Sequence, residues 1–180
     1  MPHSGTIAVA ATPDDVARCY PVARQLRPHL DEAAFLAQVA RQKGEGYQMA
    51  FFEDAGGVVR GVAGFRYFET LFAGSMMYVD DLVTDERERS KGVGGALLDW
   101  LAAQARARGC AELHLDSGVH RFDAHRFYFT KRRHISSYHF KKSLGACGWG
   151  LGARLGARPG VGWDFARAIR RCDWRALACG

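Results

Sequence analysis

Two hydrophobic rhythms alternate along most of this chain and divide it into strands and helices. Residues 6–11 alternate apolar and polar side chains, which predicts a first strand. Apolar positions then recur at helical spacing over 16–26. Thr12 is placed to cap that helix, Pro13 suits its first turn, and Asp14 and Asp15 favour the positive end of its dipole. Pro28 ends it. Asp31 caps a second helix over 32–43, with Phe35, Leu36 and Val39 at helical spacing and Gly44-Glu45-Gly46 to close it. Strands follow at 47–53 and 58–69 around the turn Asp54-Ala55-Gly56-Gly57, and at 76–84 after a second turn. Residues 93–108 return to helical spacing, with Leu97, Leu98, Leu101 and Ala105 facing inward and Gly109 as the stop. A strand at 111–116, a short helix at 122–131 and a β-like terminal strand at 135–144 complete the order. The succession β-α-α-β-β-β-α-β-α-β predicts a mixed α/β (α+β) sheet with a helical crossover into the fifth strand.

After Leu144 the rhythm stops. Residues 145–160 are rich in Gly, Ala and Arg, poor material for a sheet, and 163–177 carry a basic amphipathic pattern with Phe165, Ile169 and Cys172 on one face. The expected organisation is therefore one domain over 1–144 and a poorly ordered extension over 145–180. Length agrees, since 180 residues suit one sizeable core. The formal charge of +6 raises the question of nucleic acid, but the stretch from Gly145 holds six arginines against two aspartates and so most of the excess. No recognition motif accompanies it, and no nucleic-acid partner is expected. No run approaches the roughly 20 apolar residues of a membrane span. The N-terminus lacks the basic and apolar regions of a secretory signal. Five cysteines without metal-like or redox-like spacing read as reduced thiols, which fits a cytoplasmic protein.

One stretch points to chemistry. Arg89-Ser90-Lys91-Gly92-Val93-Gly94-Gly95 lies between the 76–84 strand and the 93–108 helix. A glycine-rich turn feeding a helix N-terminus presents unpaired N–H groups and a positive dipole end to an anion such as a pyrophosphate. It is no Walker A loop, because no Gly-Lys-Ser/Thr closes it, and no dinucleotide fingerprint, because Leu97 stands where the third glycine belongs. Arg89, Gly92 and Gly94 do match Arg/Gln-x-x-Gly-x-Gly/Ala. The segment resembles the coenzyme A pyrophosphate loop of the GNAT superfamily of N-acetyltransferases. Residues 78–83 before it resemble that family's splayed fourth strand, and 123–128 resemble its Ala-x-x-Phe-Tyr helix, in family order and spacing. The resemblance covers about residues 5 to 144. It implies a GNAT-like, mostly antiparallel central sheet with a splayed pair of strands, flanked by helices. It also implies transfer of an acetyl group from acetyl-CoA to a primary amine by direct attack in a ternary complex.

The same resemblance assigns roles. Leu82, Val83 and Thr84 would bond the pantetheine arm through their backbone. Arg89, Ser90, Lys91, Gly92, Val93, Gly94 and Gly95 would hold the pyrophosphate. Arg121 stands where the family often carries an asparagine, and could reach a phosphate instead. Tyr128 is the candidate acid for the departing thiolate; a phenol with a pKa near ~10 is protonated at neutral pH. Asp80, nine residues before Arg89, is the candidate base, with Glu69 at the end of the third strand in reserve. Strand alternation places Tyr78, Asp80 and Leu82 on one face and Val79, Asp81 and Val83 on the other. Asp81 then reads as a structural acid, paired with Arg121 or Arg126. His114, His120, His125, His134 and His139 lack metal-like pairing, and no metal is expected. In the family a Gly-Phe turn often stands where this chain has Lys131-Arg132-Arg133, so the last hairpin should be irregular. A homodimer is plausible by resemblance alone. The acceptor would be a small-molecule or peptide amine. The alternatives are a CoA-binding sensor or interaction module without turnover, and an acyltransferase that uses a different acyl-CoA.

Overall fold

The computed structural model describes residues 4–144. Of these, residues up to His139 form one compact unit. The extension from 145 onward, with its amphipathic pattern at 163–177, lies outside the described residues.

The unit is built on a five-stranded sheet in the order β1-β2-β3-β4-β5. β1 (Gly5–Val9), β2 (Tyr47–Asp54), β3 (Val59–Thr70) and β4 (Gly74–Thr84) pair antiparallel in sequence. β5 (Glu112–Leu115) runs parallel to β4, as a helical crossover requires. Two helices separate β1 from β2. α1 (Pro13–Leu26) opens on a full capping box: Asp15 N–H donates to the Thr12 hydroxyl, and Thr12 N–H donates to the Asp15 carboxylate. α2 (Glu32–Gly44) is capped by Asp31, which accepts from the Ala34 N–H. α3 (Val93–Ala107) forms the crossover, and α4 (Phe122–Thr130) follows β5.

The sheet separates two cores. On one face Val16, Cys19, Val22, Phe35 and Val39 of α1 and α2 pack against Tyr47, Met49, Phe51 and Val62. On the other, Val93, Leu97 and Leu101 of α3 pack against Ala50, Phe65, Met77 and Val79. Burying each such Leu or Phe contributes about 1.5–3 kcal/mol, which ties α3 firmly to the strands it crosses. The Cys19 thiol is pushed up to about 12 by burial, so it packs as an apolar group.

One predicted element is missing. Residues 135–144 form no strand, and Ile135 and Tyr138 are exposed. Lys131-Arg132-Arg133 replaces a glycine turn, and Arg132 turns the chain at φ 57, a conformation that costs a residue with a side chain. β5 also offers only four residues as a template at the sheet edge. The backbone leaves α4 without joining β5.

Candidate active site

The site grows from an irregularity in β4. Gly64 of β3 pairs with Asp81, and Phe65 pairs with Val79, so Asp80 is an extra residue, a β-bulge. The bulge corrects the expected alternation. Asp80 and Asp81 both line one cleft on the α1–α2 side, while Leu82 packs with the α3 core and Val83 with the α1–α2 core. Asp81 does not meet Arg121 or Arg126. Its partners are Arg27, whose Nη2 lies 2.7 Å away, and the Tyr47 hydroxyl at 3.3 Å. Tyr47 is 3 % exposed, and burial together with Asp81 raises its pKa, so it remains a hydrogen-bond donor. A Cβ on Gly64 would overlap that hydroxyl, so the glycine makes the room in which Tyr47 reaches Asp81.

Asp80 accepts from Arg66 Nε at 2.8 Å. Burial nevertheless holds its carboxyl above the ordinary aspartate range, with the Arg66 hydrogen bond and charge pulling the other way. The result is an ionisable group displaced towards the range where a proton acceptor is useful.

On its other edge β4 loses its neighbour at the same point. Its pairing with β5 ends at Val79–Leu115, while β3 stays paired to Thr84. Leu82, Val83 and Thr84 therefore have a strand on one side only, among the described residues.

The chain then turns through Asp85, a short 3-10 turn at Glu86–Glu88, and Gly92, which has φ 98. That angle suits glycine and would strain any other residue. The first intrahelical bond of α3 runs from Ala96 N–H to the Gly92 carbonyl, so the N–H groups of Val93, Gly94 and Gly95 have no intrahelical partner. No acid sits in that first turn. Arg89, Ser90 and Lys91 are exposed around it, and Lys91 Nζ lies 3.2 Å from Glu88. Gly94 sits so close to β4 that a Cβ there would lie 3.0 Å from the Thr84 hydroxyl and 3.8 Å from Phe127.

Asp85 anchors this turn. It is 8 % exposed, accepts from the Arg87 N–H at 3.2 Å, and takes Gln25 and Arg60 each at 3.4 Å. Burial raises its pKa, but these hydrogen bonds together hold it below the usual value. Neither Asp85 nor Gln25 was legible as a site residue. An acid at a strand end before a turn is the only local signal, and its partners lie far off in sequence.

α4 completes the arrangement. Tyr128 is half-buried beside Phe127, and its hydroxyl makes no hydrogen bond among the described residues. Burial raises its pKa, and the Arg121 charge at the start of α4 opposes the rise. Lys131 reaches from the end of α4 to Asp99 of α3 at 2.7 Å, crossing Gly95 on the way.

The parted strand, the open helix N-terminus and the tyrosine helix that follows lie on a fold that other proteins share. A family model described as the acetyltransferase (GNAT) family matches residues 10–133. The chain belongs to the GNAT acetyltransferase family. Its GNAT relatives include YhdJ, an uncharacterized N-acetyltransferase of Bacillus subtilis (strain 168). The two are 36% identical over 134 residues, 73% of this chain and 93% of YhdJ. An acetyltransferase from Trypanosoma brucei shares the fold with TM-score 0.64 and 22% identity, over 78% of this chain and 100% of that one. So does a ribosomal-protein-alanine N-acetyltransferase from Brucella melitensis biovar Abortus 2308, with TM-score 0.68 and 17% identity over 79% and 100%.

Within this GNAT fold the anticipated residues fall into three groups. Asp80 and the 82–84 backbone meet at the parted end of β4. Residues 89–95 and Thr84 converge at the α3 N-terminus. Arg121 and Tyr128 both belong to the α4 segment, at its N-cap and in its last turn. Glu69 joins none of them: it is exposed and pairs with Ser75, five residues along β3 from Gly64, roughly 16 Å away at about 3.3 Å per residue. Among the described residues no three His, Cys, Asp or Glu side chains converge as metal ligands would, and no helix is long and apolar enough to cross a membrane.

Proposed function

We propose that this protein moves an acetyl group from acetyl-CoA to a primary amine by direct attack in a ternary complex. The observation that carries the reading is the end of β4. Its free edge begins at Asp80, with the carboxylates on one side and the open start of α3 on the other. A thioester held along that edge faces an amine held over the carboxylates.

The residues fit the donor. The N–H groups of Val93, Gly94 and Gly95 suit a pyrophosphate, with Arg89, Ser90 and Lys91 beside them and Arg121 within reach of a further phosphate. The backbone of Leu82, Val83 and Thr84 is shaped to pair with an extended amide-containing arm, and an N–H there polarises the acetyl carbonyl. Asp80 takes a proton from the attacking amine, directly or through one water. The new N–C bond forms as the C–S bond breaks, and Tyr128 gives its proton to the departing sulfur. A tyrosine whose pKa is raised by burial stays protonated at neutral pH and serves as that donor.

The test is acetyl-CoA consumption across a panel of amines and peptides, read by chromatography of the acetylated product, beside Tyr128→Phe. Turnover on one acceptor that falls strongly in the variant supports the reading. Saturable acetyl-CoA binding without turnover on any acceptor would replace it with a CoA-binding module or another acyl donor.

A further inference from the structure

The cleft over the carboxylates has a charge pattern that selects among amines. It encloses ≈ 310 Å³ between α1, α2 and the strands. Its walls mix apolar residues, Leu26, Leu30 and Met49 among them, with the polar His29, Gln38 and Gln42. Its polar end holds Asp80 and Asp81, and each carboxylate already has its own guanidinium, Arg66 at 2.8 Å and Arg27 at 2.7 Å. Two negative charges meet two positive ones. A diamine or polyamine entering this end would meet one cation for every anion and gain no net attraction. A single amine with no other charge would have to part an ion pair and leave Arg27 without a counter-ion.

A small zwitterion meets neither difficulty. Its ammonium takes the place of Arg27 at Asp81, and its carboxylate takes the place of Asp81 on Arg27. Opposite charge replaces opposite charge on both sides. Arg27 is suited to that exchange. It stands at the C-cap of α1, its side chain is 45% exposed, and it reaches both the Asp81 carboxylate and, at 3.4 Å, the Asp80 carbonyl. It can swing without disturbing the core, and its planar fork matches a carboxylate. Arg66 is the less mobile partner, 25% exposed with its guanidinium over the Tyr47 ring. The mixed walls beyond the ion pairs then receive the remainder of the molecule.

We propose that the acceptor is a free α-amino acid, or a zwitterion of similar size, and that Arg27 binds its carboxylate. This rests on the acetyl-transfer reading above. The experiment compares kcat/KM for L-leucine, L-leucinamide, 3-methylbutylamine and spermidine, with the wild-type protein, Arg27→Met and Arg27→Lys. The amide carries the less basic amine, so a preference for the acid cannot arise from amine protonation. The acid should exceed the amide by at least about tenfold. Arg27→Met should reduce the acid to the level of the amide, and Arg27→Lys should recover part of the difference. Unfolding curves of the variants confirm that the fold is retained. Equal or better rates with leucinamide or spermidine overturn the assignment while leaving acetyl transfer intact. Acetyl-CoA binding with no amine acetylated at all would instead remove the reading beneath it.

Discussion

The two sides of β4 solve different problems with different material. Towards β5 and the start of α3 the strand offers backbone: a free edge at 82–84, open N–H groups at 93–95, and glycines that let these come close. Towards α1 and α2 it offers side chains: two carboxylates, two guanidiniums and a buried phenol. A backbone surface recognises what every donor of one type has in common. A side-chain surface can be rewritten residue by residue, so the choice of acceptor belongs there. Under the proposed acetyl transfer, the donor side is the one recognisable from sequence, and the acceptor side is where the individual protein shows.

Substitutions should respect that division. The largest effect is expected from Gly94→Val. Its added carbons crowd the Thr84 hydroxyl and Phe127 and cover the α3 N-terminus, so acetyl-CoA affinity should fall by about 100-fold or more, measured by calorimetry. Asp80→Asn should leave that affinity within about twofold while kcat/KM for the amine drops about 100-fold. Equal loss of donor binding in both variants would break the comparison. Tyr128→Phe, on α4, should lower kcat by a similar factor, roughly 100-fold, at unchanged acetyl-CoA affinity.

A pH profile sharpens the acceptor side. Burial raises the Asp80 pKa and Arg66 opposes the rise. The acid limb of kcat/KM should therefore lie above the ordinary aspartate range, and Arg66→Met should move it further up, because the opposing charge is gone. A downward shift would contradict the assignment of Asp80.

The smallest effect concerns the hinge between the sides. Asp85→Asn should destabilise the fold by about 1–3 kcal/mol at neutral pH, read by denaturant unfolding. The native pKa of Asp85 is depressed. Its contribution is thus complete above the unfolded value of ~3.9 and is lost as pH falls through the lower native value. The stabilities of wild type and variant should begin to approach each other as pH falls below about 4 and meet only below the native value.

The helices and the glycine turn before α3 were legible because their causes are local. Thr12, Asp31 and Gly92 each set a helix start through bonds within a few residues. The cleft was not, because its partners come from far away: Arg27 and Asp81 are 54 residues apart, Tyr47 and Asp81 34. Alternation also assumes a strand without insertions, and β4 has one. The doublet Asp80-Asp81 facing a strand that contains Gly64 is the signal for it, since acids in an apolar strand and a glycine opposite both suit a bulge. Residues 135–144 failed for another reason. Alternation shows that a segment can be a strand, but it does not supply a partner with enough length to pair.

The bulge at Asp80 also bears on how such a site can be altered. Removing one residue there would leave Val79 and Asp81 in ordinary alternation, with Leu82 and Val83 still on the sides they now occupy. The inserted aspartate changes the chemistry of the strand without changing its phase. A gain or loss of one residue at this point is then a natural evolutionary step: it doubles or halves the acidic character of the cleft and asks nothing of the rest of the sheet.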